Sequence, residues 1–279
     1  ITQMIIWIAS YPKSGNTLMR SILSSLIASD DGALNLKKIN LVQNFPQKKF
    51  FEDLTDERMN IKEISKHWLG AQKKIIVNKK FKLLKTHNLN CKINENYFTN
   101  SELTAGVIYL VRDPRDVVCS ASRHFNLSIE ETKNILFDKY AQTIARENVS
   151  QEITTFLGSW SDNYNSWINF NNNTLLIKFE DLVLKKKETI LKVVDFLNKF
   201  FPFSISEKKL KNCLETTSFK SMASLEKQDG FKESVSDKEK KIPFFNKGLV
   251  GNWKDELSPE IANDIEIKFK KEMTLLGYI

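Results

Sequence analysis

The chain has 279 residues, 41% of them hydrophobic and 27% charged, and carries a net charge of +8. That length suits one large core, and no stretch reaches the roughly 18 apolar residues of a bilayer-spanning helix. Three dispersed cysteines (Cys91, Cys119, Cys213) and only three histidines argue against a disulfide framework and a metal centre, so none is expected. Short lysine runs favour anionic partners, but without interleaved aromatics or a binding module no nucleic acid is expected. The apolar run at 4–9 is too short for a secretory signal, so the expected location is cytoplasmic.

Residues 4–9 form an apolar, partly β-branched run of the length of a buried parallel strand. From 17 to 27 the apolar residues Leu18, Ile22, Leu23 and Leu26 recur at helical spacing. The small-residue turn between them carries Lys13 and Gly15, which makes an anion cradle: loop N–H groups, a helix N-terminus and one full positive charge. Lys13 precedes Gly15, so the turn departs from the P-loop pattern GxxxxGK(S/T).

Residues 30–80 carry aromatics without a clean period and are expected to wall a substrate pocket. A second strand is expected at 81–86, ending at His87, and a core strand at 105–111 runs into Arg112-Asp113-Pro114-Arg115-Asp116. A helix follows to about 125, with Asp113 as its cap, Pro114 in its first turn and Asp116 as a capping-box acid. Arg112 and Arg115 have no such structural task.

Further helices are expected at 128–146 and 154–170, the second with a core stripe of Trp160, Tyr164 and Trp167. A fourth strand is expected at 174–179, then helices to 200 and over 206–214, a polar mobile loop at 228–245, and a last helix at 259–276. Alternating strands and helices predict an α/β fold with a mostly parallel sheet flanked by helices on both faces. Ligands of such sheets bind beyond the carboxyl ends of the strands, which places Lys13, His87 and Arg112 on one rim.

Five stretches now resemble, in order, the sulfotransferase family that uses 3′-phosphoadenosine 5′-phosphosulfate (PAPS): YPKSGNT at 11–17, LKTH at 84–87, RDPRDVVCS at 112–120, TTSF at 216–219 and NKGLVGNWK at 246–254. The resemblance is to a cytosolic-type domain of a bacterial-like member and covers nearly the whole length. It implies a P-loop-like single domain over 1–279, with mobile substrate-side segments around 30–80 and 228–245, and PAPS as co-substrate without a metal.

It further implies that Lys13, Ser14, Gly15, Asn16 and Thr17 hold the 5′-phosphosulfate, with Lys13 at the bridging oxygen. Arg112 and Ser120 would take the 3′-phosphate, closed over by Asn246, Lys247 and Gly248, and Leu18, Thr217, Ser218 and Phe219 would contact the nucleotide. His87 would be the general base and Lys85 would orient the sulfuryl group, whereas His67 and His124 are assigned to surface or packing. The sequence departs from the family where Leu18 replaces a frequent tryptophan, Asn246 an arginine and Asn252 an aspartate. The expected reaction is in-line sulfuryl transfer to a hydroxyl or amine of a small-molecule, lipid or glycan acceptor, with a homodimer left open. A P-loop nucleotide kinase or NTPase, or an inactive nucleotide-binding relative, is the alternative.

Overall fold

A computed structural model describes residues 4–77, 81–170, 173–230, 235–236, 241–242 and 248–279. Most of the loop expected at 228–245, together with Asn246 and Lys247, lies outside the described residues. The central sheet has five strands: β1 (Met4–Ser10), β2 (Gln43–Asn44), β3 (Phe81–Thr86), β4 (Thr104–Val111) and β5 (Thr174–Lys178). Their order is β2-β3-β1-β4-β5 and every pairing in it is parallel. The two-residue β2 carries no periodic signal, which is why the sequence shows four strands and not five.

β1 is central, and its register sets Ala9 beside Thr86 of β3 and Ser10 beside Leu110 of β4. The carboxyl ends of the three middle strands therefore emerge together. Alternation along β1 sorts its side chains to opposite faces. Ile5, Trp7 and Ala9 pack with Trp68, Val117, Val118, Trp160, Trp167 and Phe269. Ile6 and Ile8 pack instead with α1 (Asn16–Ala28) and with Ile190, Leu210 and Met222 from later helices.

The helices that flank these faces include α2 (Trp68–Ile76), α3 (Pro114–Phe125), α4 (Ile129–Phe137), α5 (Trp160–Ile168), α6 (Lys186–Asn198), α7 (Glu207–Thr216) and α8 (Phe219–Asp229). Two of them are shorter than their periodicity predicts. Asp138 follows α4, and Gln142–Thr143 then pairs antiparallel with Thr155–Phe156. Gly158, at φ +64°, breaks the backbone before Ser159 caps α5 by accepting from the Asp162 N–H. The last helix is split into Pro259–Lys268 and Lys270–Leu275 at Phe269, whose buried ring lies 5.1 Å from Trp160 and 5.3 Å from Phe137. Phe45, Phe51 and Trp68 are wholly buried, so these aromatics of the 30–80 stretch build core and not pocket wall.

Candidate active site

The turn after β1 is shaped by two left-handed residues, Lys13 at φ +65° and Gly15 at φ +96°. For lysine that conformation costs roughly 1–2 kcal/mol. At Gly15 a side chain is excluded, because a Cβ would stand 2.7 Å from the Phe179 ring. The buried Asn16 ties the turn back to its strand: its amide donates to the Ile8 carbonyl at 3.0 Å and to Ser10 Oγ at 3.2 Å. Left-handed residues on either side of Ser14, followed by a helix start, are the backbone pattern of an anion-binding concavity.

Arg112 follows β4 and joins two loops. One Nη donates to the Lys13 carbonyl and the other to the Leu249 carbonyl, each at 3.2 Å. Its guanidinium lies 4.3 Å over the Phe179 ring, and its Nε is buried without a partner. Burial lowers its pKa from the ordinary arginine range, opposed by Asp116 and Glu180. A half-satisfied buried cation of this kind suits a phosphate, which accepts paired N–H donors.

Asp113 caps α3 as expected, accepting from the Arg115 N–H at 3.0 Å. The expectation for Asp116 is corrected. Glu180 takes the Asp113 N–H, and the Asp116 carboxylate instead accepts from Gly251 N–H at 2.8 Å and Trp253 N–H at 3.0 Å. Arg115 also proves structural. It grips Asp113 with two nitrogens, reaches Glu266 and the Tyr278 carbonyl, and lies 3.9 Å from the Trp253 ring centre. The start of α3 thus seats the loop at 248–253. Gly248, at φ +55°, lies so close to Phe219 that a Cβ there would come within 2.5 Å of the ring.

His87 follows β3. Its Nδ1 lies 2.8 Å from the Ser10 carbonyl and 3.2 Å from Ser10 Oγ. A carbonyl accepts only, so Nδ1 carries the hydrogen and Nε2 keeps its lone pair. Burial first, then the charge of Lys85, holds the imidazole pKa well below 6.5 against the pull of the Ser10 carbonyl, with Arg20 and Lys13 adding to the depression. Asn163 steadies the same residue by donating to the His87 carbonyl at 3.0 Å.

These elements border one cavity of about 950 Å³, lined among others by Lys13, Gly15, Asn16, Thr17, Leu18, Lys85, His87, Arg112, Ser120, Phe219 and Gly248. That is near the top of the roughly 300–1,000 Å³ usual for ligand pockets. Ser14 is not a lining residue, and its hydroxyl is buried and unpartnered. Thr217 donates to the Cys213 carbonyl and Ser218 caps α8, and neither lines the cavity.

His124, assigned by sequence to surface or packing, does line it, as does Arg20. Arg20 had a readable signal, because it stands one helical turn beyond Asn16 on the same face. The main-chain carbonyl of Ser10 had none. Cys119 also reaches the cavity, but burial, followed by Glu256 and Asp116, pushes its thiol pKa up to about 12, so it is no nucleophile. Among the described residues no cluster of histidine, cysteine and acidic side chains is arranged for a metal, and no helix is long and apolar enough to cross a membrane.

Residues 4–277 match the family model described as "Sulfotransferase domain". Sulfotransferase 2A1 of Macaca fascicularis is 30% identical over 172 residues, which are 61% of this chain and 57% of that protein. In that alignment the chain spans less than two thirds of its relative. Sulfotransferase 1B1 of Mus musculus is 24% identical over 276 residues, covering 96% of this chain and 82% of that protein. Among solved structures, mouse sulfotransferase SULT7A1 complexed with PAP superposes with a TM-score of 0.59 at 17% identity, covering 98% of this chain and 84% of the other. That last likeness is one of fold.

Proposed function

Because this chain belongs to the sulfotransferase family, we propose that it moves a sulfuryl group from PAPS to a hydroxyl or amine acceptor, with His87 as general base. The observation that carries the reading is the His87 imidazole, held through Nδ1 by the Ser10 carbonyl at 2.8 Å in the same cavity as Lys13 and Arg112. PAPS, when bound, supplies the sulfuryl group and leaves as adenosine 3′,5′-bisphosphate (PAP). The residues present fit such a ligand: the unpartnered Nε of Arg112, the left-handed turn at Lys13 and Gly15, and Ser120 on the cavity wall are its proposed anion contacts.

In this reading His87 Nε2 takes the acceptor proton as the new bond to sulfur forms, and His87 is already neutral when it does so. Lys13 places a compact positive charge where negative charge develops on the leaving oxygen. Lys85 orients the sulfuryl group and keeps the imidazole deprotonated. The loop at 248–253, held by Asp116, covers the nucleotide beside Phe219. The cytoplasmic location and the small-molecule, lipid or glycan acceptor expected from sequence belong to the same reading.

Thermal unfolding with and without PAP, in the absence of magnesium, tests it. The melting temperature is expected to rise with PAP alone. Stabilisation by magnesium-ATP and not by PAP would point to the nucleotide kinase class.

A further inference from the structure

Beyond His87 the cavity continues between two connecting stretches. Asn40, Gln43, Asn44 and Gln47 of one and Thr143 and Gln151 of the other line it. Their backbones are fixed. Phe45 N–H donates to the Lys85 carbonyl at 2.8 Å, Lys48 N–H donates to the Gln151 carbonyl at 3.2 Å, and the strand register sets Asn44 beside Lys85. The first stretch sorts its side chains by chemistry. Phe45 and Phe51 turn into the core, where their rings stack at 5.6 Å, and the amides turn to the cavity.

Amides on the core side of the same region are spent on the protein itself. Asn163 donates to His87 and Leu157 and accepts from the Tyr109 hydroxyl, and Asn88 accepts from the Phe156 N–H. By contrast, among the described residues the side chains of the half-buried Gln43, Asn44 and Gln47 and of the exposed Asn40 and Gln151 make no hydrogen bond to the protein. Each offers two N–H donors and a carbonyl acceptor to whatever fills the space. The carboxylate of Glu152, also on this wall, is taken up by Arg146 at 3.0 and 3.1 Å.

A phenol or sterol laid here would cover the amides with hydrocarbon and leave them unpaired. A ring bearing adjacent hydroxyls pairs with each of them, because every hydroxyl both donates and accepts. Resting on the sulfotransferase reading, we infer that the acceptor is a sugar ring presenting adjacent hydroxyls to this amide wall. The hydroxyl nearest His87 attacks sulfur. Its oxygen forms the new S–O bond, the bridging S–O bond of PAPS breaks with its electron pair leaving on PAP, and the proton passes to His87 Nε2.

The test is radiolabel transfer from sulfur-labelled PAPS to glucose, maltose, lactose and chitobiose, to octyl glucoside micelles, and to 1-naphthol and a 3-hydroxysteroid. PAP binding is measured on the same protein. Label on a saccharide, with kcat/KM at least tenfold above that for 1-naphthol or the steroid, is the expected result. Sites built to pair with a substrate hydroxyl reject analogues lacking it by about 10⁴–10⁵-fold. Label on octyl glucoside alone assigns the sugar to a lipid headgroup and on the free sugars to a soluble saccharide, and both uphold the inference.

The double variant Gln43→Leu/Asn44→Leu should lower saccharide kcat/KM at least tenfold with the PAP dissociation constant unchanged. Gln47→Leu, outside the strand, gives the same readout if the double variant does not fold. A protein that binds PAP but labels 1-naphthol or the steroid preferentially, or labels no saccharide, overturns the acceptor class alone. Failure to bind PAP overturns the sulfotransferase reading beneath it.

Discussion

The two ends of the cavity are built differently. At the end bordered by Lys13 and Arg112 the polar groups are bound to main chain: Arg112 to the carbonyls of Lys13 and Leu249 and Asp116 to the N–H groups of Gly251 and Trp253, all distant in sequence, and Asn16 to the nearby carbonyl of Ile8. At the end bordered by the amides the backbone is fixed by Phe45 and Lys48, and the side chains of Asn40, Gln43, Asn44 and Gln47 have no hydrogen bond to the described residues. Charge that develops during a reaction is best stabilised by groups that need no reorganisation, and those are the groups locked in place here. A recognition surface has the opposite need, since its donors and acceptors must be available to the ligand.

The division is broken or sharpened most severely at His87. His87→Ala should lower kcat by roughly 10²–10⁴-fold, with PAP affinity by calorimetry unchanged. A matching loss of PAP affinity would mean that the base and the nucleotide cradle are one unit. Asp116→Ala comes next, because it removes the acceptor of two N–H groups while leaving the acceptor wall untouched. At about 1.5–3 kcal/mol for a hydrogen bond to a charged group, PAP should bind roughly 10- to 100-fold more weakly. An unchanged PAP dissociation constant would show that the loop at 248–253 is not part of the cradle.

A smaller effect is expected in the pH profile. The His87 pKa is lowered in the folded protein, so the base stays neutral as pH falls through 6.5, and kcat/KM should decline only well below that value. Lys85→Ala removes one of the depressing charges and should move the acid limb to higher pH. A limb that does not move would assign it to another group. Smallest of all, Ser10→Ala deletes the hydroxyl contact at 3.2 Å but keeps the carbonyl contact at 2.8 Å, so kcat should stay within a few-fold.

At the end bordered by Lys13 and Arg112, the strand–turn–helix elements were legible because their signals are local. A strand, a glycine turn and a helix follow one another from Met4 to Ala28, and Asp113-Pro114 announces the next helix start. What was not legible depends on partners distant in the chain. Asp116 has the spacing of a capping-box acid, yet its N–H partners are 135 and 137 residues away. Arg115 looked uncommitted because Glu266 and Tyr278 reach it only through the last helices. In the 30–80 stretch, the sequence shows aromatics without a clean period. Only packing against Trp7 and Phe98 decides that Phe45 faces the core. The early end of α4 and late start of α5 were partly readable, since Gly158-Ser159 is a break followed by a cap.

The contact that sets the tautomer of His87 is made to a main-chain oxygen at the end of the central strand. Amino-acid replacement alters side chains and leaves peptide carbonyls in place, so no single substitution at position 10 deletes this partner. The orientation of this imidazole is therefore insulated from genetic drift as long as β1 holds its register. The amide wall has no such insulation, since each of its hydrogen-bonding groups is a side chain that one codon change removes. If the proposed roles hold, descendants of this chain would acquire new acceptors by changing residues 40–47 while inheriting the same His87 geometry.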